Sequence, residues 1–408
     1  MLKETNDYRV AIDTKHVDVL DGIRAMAILI VVWFHIWQQS WIMPKLEMEW
    51  LKPLGLTSLD LDWLPRTGYQ MVDMMILLSG FCLFLPYARN KIMGEPLSGL
   101  GKFYKKRAAR ILPSYWFCIL AILFLFALPL KEYGSFEHMW KDLLSHLTFT
   151  HTYVQEGCEL TKLNGVLWTL AIEVQFYCIF PFLAKCFCKK PIVTYSIMVL
   201  LSQLYIYNGA MEHVDQIGKW LNQLPAFLGV YANGMLGAYL FVAIANSKKR
   251  EKYTAILSTI LAVFCIYLYG FMMKSLAVAE NTNVWQLEKR FVVSVLFMIF
   301  ILACCFSVKC FRRIFSNRVM AFLSGISFNL YIWHQYLSVK LKEFRIPYWE
   351  GEVPPNQTGD MVWQWKYFIL CWVLSIGMAV AVTYLLERPL KRLWMKASPI
   401  GKLKSKIK

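Results

Sequence analysis

The sequence predicts an all-α integral membrane protein with about ten transmembrane helices and both termini in the cytoplasm. Of its 408 residues, 57% are hydrophobic and only 17% are charged, against about 25% charged in an average soluble protein. The mean hydropathy of +0.42 agrees with this composition. The hydrophobic residues fall in separate runs, and basic residues concentrate in alternate connections between those runs. These observations exclude a soluble globular domain.

Ten apolar runs approach the roughly 20 residues that a helix needs to cross a bilayer. We place them at residues 20–42, 68–88, 109–130, 166–184, 191–208, 222–245, 254–273, 291–308, 319–338 and 366–386. Residues 20–388 therefore form one ten-span membrane domain, between an N-terminal segment over 1–19 and a basic tail over 389–408. The connection after the third run has some amphipathic character over 140–150, which favours a short helix there.

The basic residues predict the orientation of these helices. With the N-terminus and every second connection on one side, that side holds most of the 44 Lys and Arg residues and few of the 27 acidic residues. Basic connections mark the cytoplasmic side of a membrane, so both termini are predicted to be cytoplasmic in an inner or plasma membrane. The formal net charge of +17 thus reflects topology and does not indicate nucleic-acid binding.

The first run carries two ionisable side chains, Arg24 and His35. Eleven residues make almost three turns of helix, so both side chains project from one face, ~16 Å apart along the axis. Ionisable residues inside membrane helices are costly and point to function. An imidazole suits a general base near neutral pH, which makes His35 a candidate catalytic residue. A structural hydrogen bond between helices is the alternative.

Three further ionisable residues are predicted at a depth similar to that of His35, in the outer half of the bilayer. Glu173 lies in the fourth run, Asp73 in the second and His334 in the ninth. We predict that Glu173, together with Asp73, supports catalysis by orienting the imidazole and stabilising its charged form. Alternatively, Glu173 forms a structural ion pair and Asp73 is an interfacial acid. For His334 a structural or supporting role is favoured.

The start of the third run is rich in arginine and lysine. Arg107 and Arg110 are three residues apart and therefore neighbours on a helix, and planar guanidinium groups bind phosphate through paired hydrogen bonds. Arg24 lies at the same predicted cytoplasmic level, so we predict that these arginines hold a phosphate-bearing ligand. Ordinary basic flanking of a membrane helix is the alternative. No metal-ligand spacing occurs among the cysteines and histidines, and no metal is predicted.

Five segments, in order, resemble the motifs of acyltransferase family 3, a family of membrane O-acyltransferases. The likeness covers residues 18–388, and its segments are Leu20–His35, Met75–Phe81 with its Ser-Gly-Phe, Arg107–Tyr115, Leu167–Pro181 with its Trp-Thr-Leu and Glu173, and Ser327–His334. Three positions depart from the family pattern. Thr169 replaces a usual serine, Val174 stands where many members have a second acid, and Met74–Met75 replaces a common aromatic pair.

The resemblance implies that an acyl group, most often acetyl, moves from cytoplasmic acyl-CoA, in most cases acetyl-CoA, to a hydroxyl of an extracytoplasmic or lipid-linked glycan. It assigns transfer to His35 and donor binding to Arg24, Arg107 and Arg110. Acyl-CoA is then a substrate, and no cofactor is permanently bound. The implied partners are acyl-CoA, a glycan or glycolipid acceptor, the lipid bilayer and proteins of glycan assembly.

Two other functions remain open at this point. A glycolipid or polysaccharide transporter or exporter would also carry polar residues inside its membrane helices. Paired inverted repeats and broken helices at the midplane would favour it, and the sequence contains no convincing pair. A structural membrane partner in a glycan-assembly complex is the second alternative, but it would not need five motif segments in order.

Overall fold

The computed structural model describes residues 17–43, 45–54, 58–213, 216–247 and 252–396. Most of the predicted N-terminal segment, 1–19, lies outside the described residues. The same is true of most of the predicted basic tail, 389–408, whose first residues belong to the last helix. Within these ranges the chain is helical apart from one short two-stranded hairpin and the connecting segments.

The α-helices are α1 (Asp18–Ser40), α2 (Trp63–Arg66), α3 (Met71–Met93), α4 (Leu100–Ile122), α5 (Phe136–Leu147), α6 (Gln155–Cys158), α7 (Trp168–Lys189), α8 (Pro191–Glu212), α9 (Ile217–Leu221), α10 (Leu224–Asn246), α11 (Lys252–Ala277), α12 (Thr282–Phe306), α13 (Lys309–Phe315), α14 (Arg318–Glu343), α15 (Pro355–Thr358), α16 (Met361–Ala381) and α17 (Arg388–Lys396). Short 3₁₀ turns occupy Glu49–Leu54, Gly68–Gln70, His151–Tyr153 and Gly165–Leu167, and π-helical turns occupy Leu123–Ala127 and Val382–Glu387. Strands β1 (Lys45–Glu47) and β2 (Ser58–Asp60) pair antiparallel, with Leu46 opposite Leu59.

Nine helical segments in the described ranges are long and apolar enough to cross a membrane, and they coincide with nine of the ten predicted runs. The remaining predicted run, 319–338, is the 26-residue helix α14, about 39 Å long at 1.5 Å per residue. This helix is more polar than the nine because it carries side chains such as Asn329, His334 and Gln335. The predicted all-α membrane fold is confirmed, and so is a short helix after the third run, α5.

Two membrane helices, α12 and α16, begin earlier than their apolar runs because a polar residue caps them. The Asn281 side chain, ten residues before the predicted run at 291–308, accepts hydrogen bonds from the backbone N–H groups of Asn283 and Val284. The Asp360 side chain does the same at the start of α16. Such caps satisfy backbone donors that the first turn of a helix leaves unpaired.

The chain forms two compact units, and the first comprises the described residues within Met1–Phe34, Pro44–Leu97 and Phe180–Gly325. In this unit α3 packs extensively against α10. A Cβ atom added at Gly234 would lie 2.3 Å from the carbonyl oxygen of Leu77, so only glycine permits this approach. Small residues of this kind allow membrane helices to pack backbone to backbone.

The second unit comprises the described residues within His35–Met43, Ser98–Ile179 and Ile326–Lys408. Its helices are joined by polar side chains that reach backbone carbonyls on distant segments. The Tyr115 hydroxyl donates to the carbonyl oxygen of His146 at 2.9 Å, and Tyr367 donates to that of Ser338. These bonds connect α4 with α5 and α16 with α14, around the residues described next.

Candidate active site

Helix α1 carries Arg24, which lies in the first unit, and His35, which lies in the second. Nη1 of Arg24 donates to Asp21 Oδ1 at 3.2 Å, and Nη2 lies 3.5 Å from Cys82 Sγ. The Ser324 hydroxyl donates to the same oxygen of Asp21 at 3.2 Å. Asp21 therefore orients the Arg24 guanidinium, whose five N–H donors exceed what these two contacts use.

His35 and His334 form a hydrogen-bonded pair within the second unit. Nδ1 of His35 lies 2.9 Å from Nε2 of His334, and the ring centroids are 4.8 Å apart at an interplanar angle of 64°. His334 is fully buried, whereas His35 is only partly buried. The sequence predicted His35 as a catalytic base and favoured a structural or supporting role for His334. The structure brings the two imidazoles into direct contact.

Two of the motif segments are hydrogen-bonded to each other beside this pair. Thr169 Oγ1 donates to the Tyr331 hydroxyl at 2.8 Å, and that hydroxyl donates to the carbonyl oxygen of Val166 at 3.1 Å. Nδ2 of Asn164 donates to the carbonyl oxygen of Ile332 at 2.7 Å. Threonine at position 169 thus provides the hydroxyl that a serine would provide. These bonds hold the start of α7 against the turn of α14 that bears His334.

Glu173 lies one turn before Tyr177 on α7, and the Tyr177 hydroxyl donates to its carboxylate. The guanidinium of Arg107 lies 5.6 Å from the centroid of the Tyr177 ring and 5.8 Å from that of Phe103. The Nε of Arg107 is buried and has no hydrogen-bond partner among the described residues. Tyr177 is therefore shared between a candidate acid and a candidate donor-binding arginine. Support of His35 by Glu173 stays a prediction.

Arg110 interacts electrostatically with Tyr177 and with Glu387. Glu387 ends the second π-helical turn, and its Oε2 accepts a hydrogen bond from Nδ2 of Asn329 at 2.8 Å. Single π-helical turns occur often at functional sites. The two arginines of the third run thus share one cluster with acids from two different helices.

Asp73 belongs to an ion pair in the first unit. Its Oδ2 lies 3.3 Å from Nε of Arg290, and the two residues are only 4% and 3% exposed. Nη1 of Arg290 also donates to the carbonyl oxygen of Leu221 at 2.5 Å, and its guanidinium lies 4.3 Å from the centroid of the Phe227 ring. A buried carboxylate needs a partner of this kind. The ion pair accounts for the burial of Asp73, whose predicted catalytic role stays a prediction.

Several residues of these contacts were not singled out from the sequence. Tyr177 lies four residues after Glu173, which is the spacing that puts two side chains on one helical face. Glu387 is a lone acid at the end of an apolar run. These two patterns were available in the sequence. The partnerships of Asn329 and Arg290 were not, because each joins helices far apart along the chain.

A second pair of histidines lies on the connection between α4 and α7. The rings of His146 and His151 stack, with centroids 4.0 Å apart and an interplanar angle of 4°. Asp142 Oδ1 lies 3.0 Å from His146 Nδ1, and Oδ2 accepts from the Lys162 N–H at 2.9 Å and from the Tyr133 hydroxyl at 2.8 Å. The two histidines and the aspartate are buried. Within the described part of the chain, no group of three or more His, Cys, Asp or Glu residues could hold a metal ion.

Burial determines the protonation of this second group. Loss of solvation, followed by the electrostatic interaction with His146, lowers the pKa of His151 to about 3. Burial alone would raise the pKa of Asp142, but its hydrogen bond and electrostatic interaction with His146, together with the Lys162 N–H, lower it. At neutral pH, Asp142 is therefore a carboxylate and His151 is neutral.

The chain matches the model of a known protein family, described as an acyltransferase domain, over residues 17–388. It is 21% identical over 393 residues to O-acetyltransferase OatA of Staphylococcus aureus (strain NCTC 8325 / PS 47), which covers 93% of this chain and 58% of that relative. It is 24% identical over 314 residues to "Putative acetyltransferase ORF330" of Acidianus two-tailed virus, covering 76% and 80% of the two chains. No solved structure matches the chain significantly.

The extent of the family match agrees with the resemblance expected from the five motif segments. The match spans the membrane helices from α1 to α16. It includes the pair of His35 and His334 and the group formed by Arg107, Arg110, Glu173, Tyr177 and Glu387. The chain covers only 58% of the length of OatA. The chain belongs to acyltransferase family 3 and is a multi-pass membrane protein.

Proposed function

We propose that this acyltransferase moves an acyl group, acetyl in the first instance, from cytoplasmic acyl-CoA to a hydroxyl of an extracytoplasmic or lipid-linked glycan in an inner or plasma membrane. The observation that carries the proposal is the hydrogen-bonded pair of His35 and His334 inside the membrane helices of an acyltransferase. The name of the relative O-acetyltransferase OatA, which describes acetyl transfer to oxygen, supports the acetyl group and the hydroxyl acceptor.

In the proposed step, His35 takes the proton of the acceptor hydroxyl as its oxygen attacks the thioester carbonyl. A tetrahedral intermediate forms and then breaks its carbon–sulfur bond. The ester stays on the glycan, and the CoA thiolate leaves with the proton that His35 held. Glu173, together with Asp73, is proposed to stabilise the charged imidazole. Transfer through an acyl-histidine intermediate is the alternative sequence of bond changes.

The donor is proposed to bind through Arg24, Arg107 and Arg110. Guanidinium groups match phosphate oxygens in geometry and charge. The buried Nε of Arg107 without a hydrogen-bond partner among the described residues favours a ligand anion near it. Asp21 beside Arg24 and Glu387 beside Arg110 would keep the guanidinium groups oriented in the absence of donor.

The test uses the purified full chain in nanodiscs with radiolabelled acetyl-CoA and a membrane glycan extract. Wild-type protein should move label to glycan, whereas His35→Ala should lower the rate by ~10²–10⁴-fold, the usual contribution of a general base. Ser338→Ala is the control on α14, because the Ser338 hydroxyl donates within its own helix, to the carbonyl oxygen of Gln335 at 2.8 Å. Full activity of folded His35→Ala would overturn the proposed mechanism.

The same assay tests the donor site through Arg24→Ala and Arg107→Ala. Each should raise the KM for acetyl-CoA more than it lowers kcat, because each removes binding of phosphate groups that do not react. Unchanged donor affinity in both variants would contradict the phosphate clamp. Label that reaches water or lipid but never glycan would overturn the proposed acceptor and leave acyl transfer intact.

A further inference from the structure

We propose that His334 is a positioning residue that determines which ring nitrogen of His35 acts as the base. The inference rests on the proposed function, since it specifies how His35 is made ready for proton transfer. It assigns the lone pair to Nε2 of His35 and the hydrogen to Nδ1.

The first contacts fix the tautomer of His334. Its Nδ1 lies 2.7 Å from the carbonyl oxygen of Tyr331 and 3.1 Å from that of Leu330. Carbonyl oxygens accept hydrogen bonds and donate none, so Nδ1 of His334 carries a hydrogen. A neutral imidazole has one N–H group. Nε2 of neutral His334 therefore has a lone pair and can only accept.

The next contact determines the tautomer of His35. Nε2 of His334 lies 2.9 Å from Nδ1 of His35, so Nδ1 of His35 must donate to it. Neutral His35 then has its hydrogen on Nδ1 and its lone pair on Nε2. An isolated imidazole can place its hydrogen on either nitrogen, and the form with Nε2–H could not take a proton at Nε2. His334 excludes that form by supplying an acceptor at Nδ1.

The same contact also favours the charged state of His35 during the reaction. When Nε2 takes the proton of the acceptor hydroxyl, Nδ1–H becomes a donor on a cation, and hydrogen bonds from charged donors are stronger than neutral ones. His334 keeps its own proton throughout, and the proton on His35 later passes to the CoA sulfur. The stabilisation is therefore larger in the transition state than in the resting enzyme, which is the condition for an effect on kcat.

Two substitutions separate acceptance of a hydrogen bond from packing. His334→Leu has a side chain of similar bulk and no acceptor, whereas His334→Gln places a carbonyl oxygen near the former position of Nε2. We expect His334→Leu to lower kcat by ~10²-fold or more, with the KM for acetyl-CoA nearly unchanged. His334→Gln should recover much of this loss. Equal activity losses in the two variants, at equal unfolding temperatures, would overturn the inference.

A spectroscopic measurement on wild-type protein keeps the test independent of variant folding. Protein with ¹⁵N-labelled histidine in nanodiscs would report the protonation of each ring nitrogen, with the His35 signals assigned by their loss in His35→Ala. We expect a protonated Nδ1 and an unprotonated Nε2. The opposite tautomer would overturn the inference about His334 while leaving His35 as the base. Full activity of His35→Ala would instead remove the proposed function itself.

Discussion

The second unit contains two pairs of histidines whose rings meet in different ways. His35 and His334 meet edge to face, with ring nitrogens 2.9 Å apart. His146 and His151 lie face to face, with nearly parallel rings whose centroids are 4.0 Å apart. In the first pair a hydrogen bond joins the two rings. In the second pair the faces touch, and a carboxylate, Asp142, binds one of the rings from its edge.

The comparison shows that the geometry of a histidine pair decides whether it suits proton transfer or packing. A hydrogen bond between ring nitrogens makes the protonation of one imidazole depend on that of the other, which suits proton transfer. Stacked rings influence each other through burial and charge, and their shared surface excludes water. We therefore expect the first pair to control the rate of transfer and the second to stabilise the connection that leads into α7.

The largest effect on stability should come from removing the carboxylate of the stacked group. Asp142→Ala leaves the Lys162 N–H and the Tyr133 hydroxyl without their acceptor and should lower the free energy of unfolding by ~3 kcal/mol, as expected when one member of a buried charged group is lost. Thermal unfolding in detergent measures it. Transfer per folded molecule should stay close to the wild-type value.

Asp142→Asn is the matched variant, since it keeps the shape of the side chain and one carbonyl acceptor. It should lie between wild type and Asp142→Ala in unfolding temperature. If either variant kept its stability and lost acyl transfer, the stacked pair would take part in the reaction. The assignment of the rate to the first pair and of stability to the second would then be wrong.

A smaller effect should appear in the pH dependence of stability. The pKa of His151 falls from 6.5 in its ordinary state to about 3 in the folded protein. Below about pH 6.5, His151 binds a proton in the unfolded chain but stays neutral in the folded protein. The free energy of unfolding should therefore decrease as the pH falls towards 3. Unfolding temperatures between about pH 7.5 and pH 5 sample this decrease before carboxyl groups titrate.

His151→Phe provides the control for this measurement, because phenylalanine can stack on His146 and does not titrate. Its stability should fall less steeply over the same interval. The lowered pKa of Asp142 acts in the same direction at lower pH, because stability from a carboxylate is lost as the pH falls through its folded pKa. Parallel curves for wild type and His151→Phe would contradict the assignment.

The smallest effect concerns the Thr169 hydroxyl, which joins two motif segments beside the pair of His35 and His334. Thr169→Val removes the hydrogen bond to Tyr331 and should lower the free energy of unfolding by ~1 kcal/mol. Thr169→Ser keeps the hydroxyl and should remain near wild type. If placement of His334 depends on this bond, Thr169→Val should also lower kcat several-fold, measured in the label-transfer assay. Equal behaviour of Val and Ser variants would count against that dependence.

Much of the fold was predictable from the sequence because the bilayer restricts it severely. The ten apolar runs correspond to the nine apolar helices and to α14. Their ends were less predictable, since caps such as Asn281 and Asp360 extend a helix past its apolar residues. The family was also recognisable, from five ordered segments rather than from any one residue.

The candidate site was predictable only in part. His35 stood out as an ionisable residue in an apolar run, and Arg107 and Arg110 as neighbours on one helix. His334 also stood out, as an ionisable residue at a similar depth, but its hydrogen bond to His35 did not follow from the sequence. The hydrogen bond between Asn329 and Glu387 did not follow either, because both contacts join residues on different helices. The ion pair between Asp73 and Arg290 was not predictable either, because it joins α3 to α12.

The sequence by itself determined that this chain is a multi-helix membrane protein of acyltransferase family 3. Hydrophobic length and charge position decide insertion, and these properties are local along the chain. The tertiary structure alone decided which polar groups meet. The bond between His35 and His334 joins residues 299 positions apart, and its direction depends on carbonyl oxygens of α14 within 3.1 Å of one ring nitrogen. A hydrogen bond requires placement to within tenths of an ångström, and only the packing of helices supplies that.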